Sequence, residues 1–376
     1  MKTKFFSLFL ILLLILSLSL FSSCEKKDST AKQKIFNLTP EDGYTIIEDD
    51  LGTGMKIIEE PEHIACMFSV SSHYLAMFGD IDKISVITEG NTRDALFCEM
   101  FPTVNEKRMI KGNNIANFEE LVKEPVPQLL INNPEAASET VLNENLYNLG
   151  IPIYYSYFET FEEQMESVQK LGIIMGREKE AKIYNDYYDS MIKLVDERVS
   201  TIPHSEKKVV YHAIGELLRT DKKDSITEAM IDTAGGINIA KDIVYDKEMA
   251  LSSKAYISIE ELMNANPEYI FVNGGDVIDY LDKATQLHSL RAYQEEKVII
   301  LPLGISRWGH PNSIETPLAT LFIAKTLYPH LFEDISLENE IRTFYHDNFE
   351  YDLTDEQIKN IIEGRVYKKT KSQMGE

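Results

Sequence analysis

The sequence predicts an α/β protein of two lobes, each a mostly parallel sheet flanked by helices, joined by one long backbone helix. Three observations predict it. Apolar runs of strand length alternate with helical stretches on both sides of the chain's middle, as in parallel sheet covered on both faces. Residues 159–200 between them contain no proline and only two glycines, Gly172 and Gly176. In that stretch Phe161, Met165, Val168, Ala181, Tyr184, Tyr188, Met191 and Val195 recur at steps of three and four, which keeps one helix face apolar. A straight helix of that length reaches about 60 Å, with the two glycines as the places where it bends or breaks. The third observation is an internal echo. Asn117-Phe118-Glu119-Glu120-Leu121-Val122 precedes Pro127 and Leu129-Leu130-Ile131, while Ser258-Ile259-Glu260-Glu261-Leu262-Met263 precedes Pro267 and Tyr269-Ile270-Phe271-Val272. Each unit is a polar cap, two acids in a first helical turn, a proline and a buried strand.

The 376 residues exceed the usual size of one core, so two lobes are expected on size alone. The 44% hydrophobic content is ordinary for a globular protein. A formal charge of −23 argues against nucleic acid, which is bound through clustered Lys and Arg, and against adsorption to anionic lipid.

In chain order, Lys2 and Lys4 precede the apolar run Phe5–Phe21, then Ser22-Ser23-Cys24 and the charged Glu25-Lys26-Lys27-Asp28. A basic start, an apolar middle and small residues at a boundary define an export signal. A cysteine directly after small residues resembles the lipobox of bacterial lipoproteins, although Phe21 stands where leucine is usual. That resemblance implies cleavage before Cys24 and lipid on its sulfur; an uncleaved signal-anchor helix is the alternative. Residues 1–23 therefore read as signal peptide and 24–50 as lipidated cysteine and tether. No second stretch is long and apolar enough to span a bilayer. The first lobe, 51–158, contains strands at Met55–Ile58, His63–Met67, Ile84–Thr88, Gln128–Ile131 and Pro152–Tyr155. The backbone helix follows at 159–200. The second lobe, 201–376, contains strands at Lys207–His212, Tyr269–Val272 and Lys297–Leu301, a helix near Ser225–Ala234 stopped by Gly235-Gly236, a helix at Ile314–Tyr328, and the tail beyond Leu337. Cys66 and Cys98 lie among apolar neighbours and read as buried thiols, a disulfide being the alternative.

Ser306-Arg307-Trp308-Gly309-His310-Pro311-Asn312-Ser313-Ile314-Glu315, the helix Ala324–Phe332, the segments Phe344-Tyr345 and Tyr351–Thr354, and Met230–Asn238 follow one another in an order that resembles a known group. It is the substrate-binding proteins of ABC importers for metal chelates, the helical-backbone type serving siderophores, haem and vitamin B12. The resemblance covers nearly all of the chain after the signal. It implies a monomer without enzymatic activity or intrinsic cofactor, exported and facing the periplasm or cell exterior. The implied ligand is a ferric siderophore, haem, cobalamin or nickel complex held in a cleft between the lobes. The implied partners are a membrane permease and, through it, a cytoplasmic ATPase. Carried to this sequence, the acids that dock on permease arginines fall on Glu119 and Glu260, with Glu120 and Glu261 adjacent.

In parallel sheets ligands bind beyond the carboxyl ends of the strands. That selects Ser71, Ser72, His73, Tyr74, Arg93, Asn132, Asn133 and Tyr157 from the first lobe. From the second it selects Tyr211, His212, Asn273, Arg307, Trp308 and His310. Arginine suits carboxylate or catecholate oxygens because its planar fork donates two parallel hydrogen bonds. Trp308 offers a flat face to a macrocycle or aromatic chelator, or else braces a loop. His73, His212 and His310 read as loop imidazoles able to complete a nickel, cobalt, copper or iron site, with His310 and His212 foremost. Three other functions remain open on sequence: an exported metal-dependent hydrolase, an adhesion or sensor subunit, and a carrier of bare zinc or manganese. No GxSxG elbow, P-loop, Rossmann fingerprint or HExxH helix is present to support an enzyme.

Overall fold

The structure, a computed structural model, describes residues 41–110, 118–220, 223–241, 255–273 and 275–365. The signal segment 1–23, Cys24, the tether as far as residue 40 and Asn117 of the first echo unit lie outside the described residues.

Strands β1 (Tyr44–Glu48) and β2 (Gly54–Ile58) form an antiparallel hairpin. This corrects the sequence reading at two points. Residues 44–48, assigned to the tether, are a strand, and Met55–Ile58 is the return arm of a hairpin, not part of a parallel sheet. The turn is fastened to the lobe by two acids. Asp49 accepts from the Leu51 and Thr53 amides at 3.0 and 2.7 Å. Asp50 accepts from the Tyr154 hydroxyl at 2.9 Å and from Lys170 at 3.1 Å. Burial pushes the Asp49 carboxyl up to about 6.

Lobe 1 is built on β3 (Ile64–Cys66), β4 (Ile84–Thr88), β5 (Arg108–Ile110), β6 (Leu129–Asn132) and β7 (Ile153–Tyr155), in the order β5-β4-β3-β6-β7. Every pairing in it is parallel. Its helices are α1 (Ser69–Met77), α2 (Glu89–Thr92), α3 (Ala95–Met100), α4 (Phe118–Leu121) and α5 (Thr140–Asn148). Between the lobes come α6 (Phe161–Met175) and α7 (Glu178–Val199). Lobe 2 is built on β8 (Lys208–Ala213), β10 (Gly236–Asn238), β12 (Tyr269–Val272) and β13 (Val298–Ile300), all parallel in the order β10-β8-β12-β13. A separate antiparallel ladder joins β9 (Arg219–Thr220) to β11 (Ala255–Tyr256). Helices α8 (Ile226–Thr233), α9 (Ile259–Ala265), α10 (Gly275–Lys283), α11 (Arg291–Gln294), α12 (Thr316–Leu327), α13 (Leu337–Phe349) and α14 (Asp355–Ile362) complete the chain. In each sheet the first strand has its successor on one side and later strands on the other, β3 between β4 and β6, β8 between β10 and β12. Such a reversal opens a crevice at the carboxyl end of the strands.

Side chains alternate between sheet faces. Ile64, Cys66, Leu129 and Ile131 of lobe 1 and Val210 and Phe271 of lobe 2 all turn toward one shared core. Ala65 and Leu130 face a second core, and Tyr211, Ile270 and Val272 a third. The shared core closes around α7, whose buried residues Ala181, Tyr184, Tyr188, Met191, Val195 and Val199 are the helical face read from the sequence. At its beginning Arg177 holds Asp80 of lobe 1 at 2.9 Å. At its end Val199 presses on Gly235 of lobe 2, where a Cβ would come within 2.5 Å. With 22 residues the helix extends about 33 Å.

The strut of 159–200 is therefore shorter than expected, and the reason lies in its glycines. Gly176 takes φ +64 and caps α6 in the left-handed conformation, which a side chain resists. The chain then turns back. Asn185 Nδ2 donates to the Met165 carbonyl at 2.9 Å, and the Tyr188 hydroxyl to Gln164 Oε1 at 2.8 Å, contacts that a continuous helix cannot make. Helices α6 and α7 form a hairpin, and α7 carries the chain from lobe 1 into lobe 2. The tail also departs from expectation, because α13 and α14 reach back to lobe 1. Phe349 packs on Phe101 with ring centroids 6.2 Å apart, and Gln357 donates to Glu99 at 3.1 Å.

A Cβ at Gly172 would stand 2.7 Å from Ala181 Cβ and 3.1 Å from the Arg177 carbonyl. Gly172→Ala therefore forces α6 from α7 and is expected to cost about 1–3 kcal/mol, despite alanine's higher helix propensity. A urea melt reads this; equal or greater stability of the variant would remove the close approach.

Candidate functional site

At the carboxyl end of the lobe 1 sheet, α1 starts three residues after β3 and α2 directly after β4. A polar cluster joins them. Ser69 Oγ and Thr88 Oγ1 lie 3.1 Å apart, Thr88 Oγ1 donates to Asn91 Oδ1 at 2.9 Å, and Asn91 Nδ2 donates to the Ser69 carbonyl at 3.0 Å. Thr88 and Asn91 were not among the sequence candidates; their only signal was position at and just after the end of an apolar strand.

Several sequence candidates lie inside the lobe. Ser71, Ser72, His73 and Tyr74 belong to α1 and are all buried. Ser71 donates to the Phe68 carbonyl at 2.6 Å. Tyr74, wholly enclosed, accepts from Gln164 at 3.1 Å, and burial drives its hydroxyl pKa upward. His73 is no loop imidazole: its ring packs edge-on against Phe97 at 4.9 Å. Its Nε2 faces Asn91 Nδ2 at 3.3 Å, and burial lowers it to about 3, so the ring stays neutral. These four were misplaced because a strand running straight into a helix leaves no loop to expose them. Asn132, also buried, accepts from the Asn133 amide at 2.9 Å. The half-buried Asn133 caps the next turn through the Ala136 amide at 3.3 Å. Arg93, half-buried, pairs with Glu89. Tyr157 is half-buried, and its amide donates to Asp50 at 3.1 Å.

In lobe 2, Tyr211 is enclosed and donates to the Leu217 carbonyl at 2.6 Å. His212 is not in a loop but inside β8, 1% exposed, with Nε2 2.9 Å from Asn273 Oδ1. Asn273 in turn donates to the Trp308 carbonyl. Trp308 is fully buried and meets Phe322 edge-on at 6.2 Å. It braces the loop from beneath and offers no face to a ligand. Arg307 and His310 stay half-buried at the surface of that loop, and His310 Nδ1 accepts from the Asn312 amide at 3.2 Å. Direct metal ligation by His212 loses its geometry, since its Nε2 is occupied within the lobe. Among the described residues no group of three or more His, Cys, Asp or Glu is placed to hold a metal ion. Cys66 and Cys98 are buried thiols, not joined in a disulfide, and burial pushes the Cys66 thiol up to about 11.

The loop carrying Arg307 is held by a carboxylate the sequence did not single out. Glu315, with no exposed surface, accepts from the Ser306 amide and hydroxyl, both at 2.8 Å, and from the Tyr345 hydroxyl at 2.7 Å. Gly304 leaves the space, since a Cβ there would fall 1.8 Å from Glu315 Oε1. Burial raises the Glu315 pKa against the opposing pull of Tyr345, Trp308 and Ser306. The end of the loop is tied to both lobes. Gln164 donates to the Ser313 carbonyl at 2.8 Å as well as to Tyr74, and the Tyr184 hydroxyl donates to the Ile314 carbonyl at 2.8 Å. The arrangement can present hydrogen-bond donors and cations to a small molecule. The Ser306 hydroxyl that meets Glu315 is buried with it in the loop's support.

Glu119 and Glu260 are both exposed at the second residue of their helices, α4 and α9. Glu261 is committed to a capping box with Ser258, and Glu120 pairs with Lys123 at 2.5 Å.

Removing the buried carboxylate takes the acceptor from the Ser306 amide and the Tyr345 hydroxyl, while the Ser306 hydroxyl keeps Ser313 Oγ at 2.8 Å. Glu315→Ala is expected to lower the unfolding free energy by about 3 kcal/mol or more, and Glu315→Gln, which keeps one carbonyl oxygen, by less. Denaturant melts check this; an alanine variant matching the parent would show that the loop is held by other means.

Residues 85–303 match the family model described as periplasmic binding protein. The chain is 21% identical over 317 residues to YvrC of Bacillus subtilis, an ABC transporter substrate-binding lipoprotein, covering 82% of this chain and 92% of that one. It is 26% identical over 157 residues to the molybdate-binding protein MolA of Haemophilus influenzae, 41% of this chain and 42% of MolA. A periplasmic solute-binding protein from Veillonella parvula superposes with TM-score 0.73 at 25% identity, covering 86% of this chain and 98% of that one. Two parallel-sheet lobes joined by one helix, with donors rather than catalytic groups at the strand ends, fit these likenesses. The chain belongs to the periplasmic binding protein family, the solute-binding components of ABC importers, which bind their substrates and do not transform them.

Proposed function

We propose that this substrate-binding protein captures an iron–siderophore complex or a related metal chelate, such as haem or cobalamin, and hands it to its permease. The observation that carries the reading is a half-buried arginine after a strand of each sheet, Arg93 after β4 and Arg307 after β13. A guanidinium suits the paired oxygens of catecholate or carboxylate groups. Asn133, Tyr157 and His310 are the polar neighbours that remain at the surface of the strand ends. A tetrahedral oxyanion is the second reading, favoured by the molybdate-binding relative, because the same donors suit it. Export and lipid attachment at Cys24 belong to the proposal; a lipid-modified mass for the mature N-terminal peptide checks them.

A bound ligand stabilises the folded state by mass action, by about 2.7 kcal/mol at a hundredfold excess over Kd. A thermal-shift screen of ferric catecholates, ferric hydroxamates, haem, cobalamins, nickel–histidine and molybdate should raise the melting temperature with one class. A shift with molybdate alone selects the second reading, and no shift with any of them overturns both.

Glu119 and Glu260 are proposed to dock on permease arginines, one from each lobe. Reversing both, Glu119→Lys with Glu260→Lys, should leave ligand affinity intact and abolish uptake of labelled ligand by cells. Undiminished uptake would remove the docking role.

A further inference from the structure

The turn that joins β1 to β2 carries two successive acids into the interior. Asp49 is 1% exposed and the Asp50 side chain 5%. Both reach the segment that leaves β7 for α6. The Asp50 amide donates to the Tyr155 carbonyl at 3.1 Å, and the Tyr155 amide approaches Asp49 Oδ2 at 3.4 Å. The Tyr157 amide then donates to Asp50 Oδ2 at 3.1 Å. One short turn thus holds residues 155–157, at the carboxyl end of an edge strand of the lobe 1 sheet. The rest of the hairpin is secured separately, since Met55 and Ile57 lie in the shared core.

The charges at this junction do not balance. Lys170 of α6 stands 3.1 Å from Asp50 Oδ1 and 3.0 Å from Glu166 Oε1. Asp49 is met by the amides of Leu51, Thr53 and Tyr155, and among the described residues no cation pairs with it. Two like charges on adjacent buried side chains are poorly matched by one ammonium, so the folded protein favours a proton on the pair. Burial pushes Asp49 up to about 6 against the pull of its three amides, with Asp50 adding in the same direction. Burial raises Asp50 as well, against Ser167, the Tyr157 amide, Lys170 and Tyr154.

The neighbouring groups keep one state over that range. Burial drives the hydroxyls of Tyr154 and Tyr155 in β7, Tyr157 beyond it and Tyr74 of α1 upward, so all four stay protonated. Tyr147 of α5 lies beside Tyr155, and Glu159 and Glu163 lie beside Tyr157. Glu163 is engaged there with the Glu159 and Thr160 amides. Burial lowers Lys170, but Glu166 and Asp50 outweigh it and keep the ammonium charged.

We propose that the Asp49–Asp50 turn is a proton-dependent clasp: with one proton on the pair it fastens the N-terminal hairpin to residues 155–157, and with both acids charged it lets that segment loosen. When the turn detaches, Asp49 returns to water and to its ordinary value near 3.8. A carboxyl whose pKa is higher in the closed form favours closure at low pH, an advantage lost as pH rises through about 6. The clasp is therefore tight in acid and slack near neutrality. Tyr157 and the entry to α6 follow it, which makes this end of the lobe 1 sheet responsive to acidity.

Hydrogen exchange of the full chain measures the opening, read by mass spectrometry of peptides covering 49–53 and 153–158 and corrected for the chemical exchange rate at each pH. In the parent, opening should rise about tenfold from about pH 5 to about pH 7.5 and then level off. Peptides from β3 and β4 of the same lobe are the reference and should not follow. Asp49→Asn keeps an oxygen for the Leu51 and Thr53 amides and removes the charge, so its rise should fall below about twofold. Lys170→Met removes the ammonium and should show a larger rise than the parent. Circular dichroism and melting temperature establish the folding of each variant first, and either variant alone suffices beside the parent. Equal protection of the turn at both ends of the range in the parent overturns the clasp. So does a rise shared equally by β3 and β4, an undiminished rise in Asp49→Asn, or a smaller one in Lys170→Met.

Discussion

Two sheets that never touch each other in the strand ladders must turn one face each toward the same helix, and that constraint organises the molecule. Cys66 and Ile131 from one lobe and Val210 and Phe271 from the other contribute to a single apolar core around α7. A helix so enclosed carries polar groups at a cost unless they are paired. Tyr184 and Tyr188 bring two hydroxyls into that core, and each finds an acceptor, the Ile314 carbonyl and the Gln164 amide oxygen. Gln164 then spends its amide nitrogen on Ser313 and Tyr74. The pairing that makes the core tolerable also places Ser313, in the loop after β13, beside Tyr74 of α1 through the Gln164 amide.

The same economy of polar groups explains why so many attractive candidates are structural. A strand that passes directly into a helix has no exposed connection. Ser71, His73 and Tyr74 follow β3 by a few residues, yet they pack inward on α1. His212 sits within a strand and hydrogen-bonds Asn273, which supports Trp308 and its loop. What remains at the strand ends is a small set of donors and cations, Arg93, Asn133, Tyr157, Arg307 and His310. That set is suited to holding an anionic or oxygen-rich guest and unsuited to bond breaking, in keeping with a solute-binding protein.

The tail and the hairpin bear on motion. Helix α7 is one link between the lobes, and α13 with α14 is another, through Phe349 on Phe101 and Gln357 on Glu99. A loop clamped by Glu315 and Gln164 gives the site little local freedom.

Much of the fold was legible because its signals are local. Eight apolar runs of strand length, the apolar face of α7 and the paired echo units before β6 and β12 follow from periodicity and capping alone. The sequence by itself determined the class, two parallel-sheet lobes with a connecting helix, and the absence of catalytic motifs. Tertiary structure decided the rest. Gly172 and Gly176 permit either a bent rod or a hairpin, and the choice falls to the close approach of Ala181. Glu315 reads as one acid among 61 Asp and Glu residues until burial and three donors single it out. Periodicity records which face of an element is apolar; which elements then meet, and which polar groups are left for a ligand, depends on contacts between residues far apart in the chain.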